Sequence, residues 1–124
     1  IMVHEKRRFV ENVSYIPSPG WRVKKWPGGE WVHRRDLYGA AFRGGPSAVI
    51  STAGVFRFDD KEGFMYLDTC HPGKTPAEIK EMCQFDLDIS RVSGETKVPT
   101  REELRIIHEV LDPSEIFIPK VKKG

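Results

Sequence analysis

Cys70 and His71 are the pair that first suggests chemistry, a thiol and an imidazole that could serve as nucleophile and base. Adjacent residues on a strand point to opposite faces, so the two cannot meet there. A buried thiol beside a turn histidine is the expectation. The second thiol, Cys83, has no metal-ligand spacing to Cys70, no metal site is expected, and both fit the reduced, buried cysteines of a cytoplasmic protein. His108 falls on the apolar stripe of a helix, and His33 beside Arg34-Arg35 reads as a solvated loop residue. Asp59, Asp60 and Glu62 are turn carboxylates, and Glu102-Glu103 stand at a helix start, where the macrodipole favours them. The sequence contains no Gly-rich phosphate loop with its Lys, no Gly-x-Ser-x-Gly elbow and no Cys-x-x-Cys pair.

The basic group Lys6-Arg7-Arg8 with Arg22, Lys24 and Lys25 is more suggestive. Residues 1–43 hold nine Lys/Arg against four Asp/Glu, while the whole chain carries only +2. Two readings stand side by side. One is a solvated face; the other is capture of an anion, whether a carboxylate, a nucleotide phosphate or, with Trp21, Trp26 and Trp31 interleaved, single-stranded nucleic acid. The small net charge gives little long-range attraction and weighs against nucleic acid.

These side chains need a scaffold. With 124 residues, 39% hydrophobic and 31% charged, the chain can bury one core. No run approaches the roughly 18 apolar residues of a membrane span. Ser47 to Phe58 and Phe64 to Cys70 are β-branched and aromatic runs around the turn residues Asp59 to Gly63, which predicts a hairpin at the centre of a sheet. Gly54 inside the first run predicts a bulge or a close backbone approach. Ile1-Met2-Val3 reads as the end of a buried strand and Val13 to Ile16 as a short strand. Pro17-Ser18-Pro19-Gly20-Trp21 reads as a rigid loop with a sharp turn at Gly20, and residues 22–45 as a long structured surface loop. Thr75-Pro76-Ala77-Glu78 and Thr100-Arg101-Glu102-Glu103 are capping boxes that open two helices. Ile79, Met82 and Cys83 form the apolar stripe of the first; Leu104, Ile107, His108 and Leu111 form that of the second, until Asp112-Pro113 ends it. Phe85 to Ile89 alternates and predicts another short strand. Because the sequence opens on Ile1 in what reads as mid-strand, residues 1–124 are expected to form a single partial domain with an N-terminal half missing.

A resemblance adds to this. His4-Glu5-Lys6-Arg7-Arg8-Phe9, Ser18-Pro19-Gly20-Trp21, Val49 to Asp59, Met65-Tyr66-Leu67, His71-Pro72-Gly73, Phe85-Asp86-Leu87 and Leu104 to Pro113 resemble, in that order, the second half of the B subunit of family I CoA-transferases, in their glutaconate-like branch. The match runs over essentially the whole chain. It implies an α/β fold with an open CoA-transferase-like sheet and covering helices, a separate A subunit in a hetero-oligomer, and transfer of coenzyme A between an acyl-CoA and a carboxylic acid. The coenzyme A thioester would be a substrate, with no tightly bound cofactor. Many relatives carry Asp where Thr52 stands and a larger apolar residue where Ala53 stands; Met82-Cys83-Gln84 replaces their Asn-Thr-Gly. These departures bear on packing, caps and substrate identity more than on fold.

The family's nucleophile is a glutamate of the first half of the B subunit, which forms an acyl anhydride and then a glutamyl-CoA thioester. No glutamate of this chain occupies its place, so the nucleophile is expected upstream of Ile1 and the isolated chain is expected to be inactive. Related two-subunit enzymes that hydrolyse ring-derived CoA thioesters share the fold without that glutamate and stand as the alternative. A non-enzymatic anion-binding module on residues 1–43 is the second alternative. Within the chain, a strand ending at Val3 releases His4 at the ligand-binding end of an open sheet, and the Ser18-Pro19-Gly20-Trp21 loop is expected to return beside it. His4, Ser18 and Gly20 are therefore the expected substrate-side residues.

Overall fold

The apolar run Ser47 to Phe58 is broken in the middle by one hydroxyl. In the computed structural model, which describes residues 1–25 and 27–119, Ser51 Oγ accepts the N–H groups of Ala53 and Gly54 at 3.1 and 3.3 Å, and the Ser51 N–H donates to the Gly54 carbonyl at 3.0 Å. A serine that bonds its neighbours' backbone offers the chain a turn in place of a ladder. The expected single strand is accordingly two, β3 (Val49–Ile50) and β4 (Gly54–Phe58), paired antiparallel. β4 pairs antiparallel with β5 (Met65–Cys70), with a register shift between Val55 and Phe56. A short parallel strand β6 (Gly94–Glu95) lies on the other side of β5, giving the order β3-β4-β5-β6. The hairpin is central, as its residues imply, and the sheet is mixed and open.

Asp59 makes the β4–β5 turn. Its carboxylate accepts the N–H groups of Lys61 and Glu62 at 2.9 and 2.8 Å, and Gly63 takes φ +70°. The Glu62 N–H, then the Arg91 guanidinium, hold the Asp59 carboxyl down to about 2.

Residues 22–45, expected as loop, are ordered further. β1 (Arg22–Lys24) and β2 (Trp31–His33) form an antiparallel pair, followed by a short helix α1 (Arg34–Tyr38) and a 3-10 turn (Gly39–Ala41). Three-residue strands are too short for alternation to reveal them; the Gly28-Gly29 turn between them was the available signal. Trp26 and the Lys120-Val121-Lys122-Lys123 tail lie outside the described residues.

Both capping boxes form. Thr75 and Glu78 cap α2 (Pro76–Glu81), and Thr100 and Glu103 cap α3 (Arg101–Arg105), which widens to a π-helical turn over Ile106–Leu111. Buried Asp112 then accepts the N–H groups of Ile116, Phe117 and Ile118. Of the apolar stripe of this helix, Leu104 and Leu111 are exposed, while Ile107 and His108 are half-buried.

Three expected strands do not form. Met2 makes one parallel bridge to Ser51, and Ile1 to Val3 are exposed instead of buried, since nothing among the described residues packs over them. Val13, Tyr15 and Ile16 are exposed and find no strand edge. Phe85 to Ile89 contributes one bridge, Asp88 to Tyr66, because the Asp88 carboxylate turns the chain by taking the Ser90 N–H and hydroxyl.

The core lies between one face of the sheet, α2 and the 4–9 segment. It consists of Phe9, Ala53, Phe56, Leu67, Cys70, Ile79, Cys83 and Leu87. Among the described residues no helix is long and apolar enough to cross a membrane.

Candidate functional site

His4 lies inside this core, 6% exposed. Its ring stacks on Phe56 and tilts against Phe9, 5.6 and 4.0 Å between centroids. Nε2 is 3.3 Å from the Ile79 carbonyl and Nδ1 is 3.2 Å from Ser51 Oγ. A carbonyl only accepts, so the hydrogen bonding assigns the ring proton to Nε2, and Nδ1 then accepts the Ser51 hydroxyl. Burial lowers the His4 pKa, partly offset by the Ile79 carbonyl. One neutral imidazole thus ties the 4–9 segment to the Ser51 turn and to α2.

The folded His4 value lies below the ordinary 6.5, so the unfolded chain takes up the proton first, and stability is lost as pH falls through the unfolded value toward the folded one. The urea midpoint is expected to drop between about pH 7.5 and about pH 5.5, above the carboxylate range. A His4→Leu variant should lose that slope; an unchanged slope would assign it to another group.

His71 uses both nitrogens elsewhere, Nε2 on the Ser51 carbonyl at 2.9 Å and Nδ1 on Thr96 Oγ1 at 3.0 Å. It is no base for Cys70. Both cysteines are free and buried, and burial pushes the Cys83 thiol up to about 11 and raises Cys70. They stay protonated and unreactive.

Ser18 is exposed, and the loop it opens is held from several sides. Arg34 Nη1 donates to the carbonyls of Pro19 and Gly20, both at 3.0 Å, and the Arg34 N–H donates to the Trp21 carbonyl at 2.8 Å. Trp21 Nε1 donates to the Pro46 carbonyl at 2.8 Å. Gly20 has no positive φ, and a Cβ on it would meet only Pro46 at an ordinary 3.5 Å, so the expected sharp turn at Gly20 is absent. The glycines packed tightly against this loop are Gly63, where a Cβ would stand 2.6 Å from Trp21 Cβ, and Gly45, where it would stand 2.8 Å from the Trp21 ring. His4 and this loop share no hydrogen bond or ring contact among the described residues. A groove of about 550 Å³ runs past Pro19, between the 10–16 segment and the β1–β2 pair.

His33 is a second departure. Expected in solvent, it is 7% exposed, with its ring beside Trp21 and edge-on to Phe42. Nδ1 caps α1 by accepting the Arg35 N–H, which leaves the proton of the neutral ring on Nε2, without a partner among the described residues. Histidine is not among the residues that ordinarily mark an N-cap, so the sequence carried no signal for this role.

Four members of the basic group have protein partners of their own. Arg7 and Arg8 both bind Glu5, Lys25 binds Glu30, and Arg22 donates to the Glu62 and Trp31 carbonyls. Among the described residues no cluster of His, Cys, Asp or Glu could hold a metal ion.

No protein-family profile matches the chain. Over 118 residues it is 36% identical to the B subunit of glutaconate CoA-transferase from Acidaminococcus fermentans, covering 95% of this chain and 41% of that one. The crystal structure of glutaconate coenzyme A-transferase from the same organism superposes with a TM-score of 0.76 at 34% identity, over 97% of this chain and 43% of that one. Over nearly its whole length the chain is similar to the B-subunit side of this CoA-transferase. A second relative is the cholesterol ring-cleaving hydrolase IpdB subunit of Mycobacterium tuberculosis, 30% identical over 91% of this chain and 41% of its own. The Rhodococcus jostii RHA1 IpdAB structure matches over 61% of the chain with a TM-score of 0.52 at 35% identity. The chain thus spans about two fifths of the length of these relatives.

Proposed function

We propose that the chain acts as part of a CoA-transferase B subunit which, with an A subunit, moves coenzyme A from an acyl-CoA to a carboxylic acid. The observation that carries this is the likeness to the glutaconate enzyme over 95% of the chain in sequence and 97% in structure. In this reading the covalent step uses a glutamate outside these 124 residues, cycling through a glutamyl-CoA thioester. Splitting the exchange into two acyl transfers lowers each barrier. Residues 1–124 supply the acid-side wall, with the Ser18 hydroxyl and the amides of its loop toward the substrate. Buried as it is, His4 acts indirectly, by fixing the Ser51 turn.

The test is the assembled two-subunit enzyme given an acyl-CoA with and without a carboxylate acceptor. Acceptor-dependent formation of a new CoA thioester is expected. Ser18→Ala should lower turnover about tenfold while leaving assembly intact, since small misplacement of a bound group can cost that much. Wild-type kinetics would remove this loop from the active site. The 30% identity to the IpdB subunit supports a second reading, hydrolysis of a CoA thioester; full-rate release of product without any acceptor would select it.

A further inference from the structure

Arg34 brings a charge into the fold without a carboxylate beside it. It is half-buried, its guanidinium lies 5.6 Å from the Tyr38 ring centroid and 5.0 Å from that of Phe42, and Nε is buried without a partner. Among the described residues no carboxylate comes within 4.0 Å of it. Two carbonyls and two ring contacts stand where a counter-ion would, and they offset part of the cost of desolvating the cation.

What the charge does is turn peptides. The carbonyls of Pro19 and Gly20 both end on Nη1, at 3.0 Å each. In a planar trans peptide the N–H points opposite to the C=O. With both carbonyls directed at Arg34, the N–H groups of Gly20 and Trp21 face the other way. Neither finds an acceptor among the described residues. Donation into a carbonyl also polarises its peptide and strengthens the N–H on the far side.

We propose that Arg34 is a positioning residue that presents the Gly20 and Trp21 N–H groups, beside the Ser18 hydroxyl, as a seat for a carboxylate. Two adjacent backbone donors suit the two oxygens of one carboxylate, and the unneutralised guanidinium behind them favours an anion over a neutral acyl group. The assignment rests on the CoA-transferase reading for its physiological ligand, the acceptor acid. The seat itself does not.

Two measurements keep these apart. The first titrates glutarate into the full chain labelled with 15N at Gly and Trp, with sodium chloride at matched ionic strength as control. The Gly20 and Trp21 amides are expected to shift and saturate with glutarate and not with chloride. In Arg34→Met the shifts should be lost, and Arg34→Lys, which keeps charge but not the fork, should retain part of them. Unmoved amides in the wild-type chain would overturn the seat, whatever the enzyme does. Equal shifts in wild type and Arg34→Met would overturn the role of Arg34. The second is steady-state kinetics of the assembled enzyme. Arg34→Met should raise KM for the acceptor acid about tenfold or more while KM for the acyl-CoA stays within about twofold. A general structural defect would move both equally and count against the proposal. An assembled enzyme with no transferase or hydrolase activity would sink the functional reading and leave the amide titration standing.

Discussion

Phe56→Ala is expected to destabilise the folded chain by about 3–5 kcal/mol, a large share of the total for a domain of this size. Phe56 is fully buried in β4, opposite Val49 of β3 on one side and Leu67 of β5 on the other. Its ring lies 5.6 Å from Phe9 and is parallel to His4 at the same separation. Alanine would open a cavity bounded by the sheet, the 4–9 segment and α2, and none of these can close it without breaking the His4 bonds to Ser51 and Ile79. The urea midpoint measures the loss directly. A Phe56→Leu variant, which keeps most of the apolar volume, should lose less. A midpoint for Phe56→Ala close to wild type would mean that this ring does not hold the three segments together.

Gly54→Ala is expected to cost about 3 kcal/mol, at the upper end of what overpacking does. A Cβ at this position would stand 2.5 Å from the Thr69 carbonyl oxygen and 3.2 Å from Leu67 Cδ1. The first of these is backbone, fixed by the β4–β5 ladder, in which Gly54 faces Cys70. The strands must part at this end, just where the Ser51 turn and the His71–Ser51 bond begin. Gly20→Ala is the control, because its Cβ has ordinary room; thermal melting should show a change within about 0.5 kcal/mol. Identical melting of the two variants would count against the close approach at Gly54.

The parts of the fold that the sequence disclosed are those written in short-range chemistry. Thr75 with Glu78 and Thr100 with Glu103 start helices because cap and reciprocal carboxylate lie three residues apart. Gly54 was readable as a close approach because a glycine inside an apolar run has few other uses. Ser51 was not. Serine and threonine inside a β-branched run pass for strand residues, and only the hydroxyl's two backbone acceptor contacts reveal a turn. His4 and His33 were visible as titratable residues, but their burial depends on distant partners, Ile79 for one and Trp21 with Phe42 for the other. Arg34 was counted as one positive charge among several. Its distinction from Arg7 or Lys25 is the lack of a carboxylate neighbour, a tertiary fact that no spacing encodes. The Ser18–Trp21 loop was legible as a loop from its prolines, although the glycines packed against it lie at positions 45 and 63, far away in the chain.

That contact between Gly63 and Trp21 has a mechanical side. The β4–β5 turn presses its backbone against the root of the Trp21 side chain, and Arg22 clasps the same turn through the Glu62 carbonyl at 2.9 Å. The loop is therefore fastened to the central hairpin of the sheet and is no swinging lid. Much of the entropy of ordering its amides is lost during folding, before any ligand arrives. A carboxylate would meet donors already in place, and selectivity would come from the fit of the acid's remaining chain along the Pro19 groove.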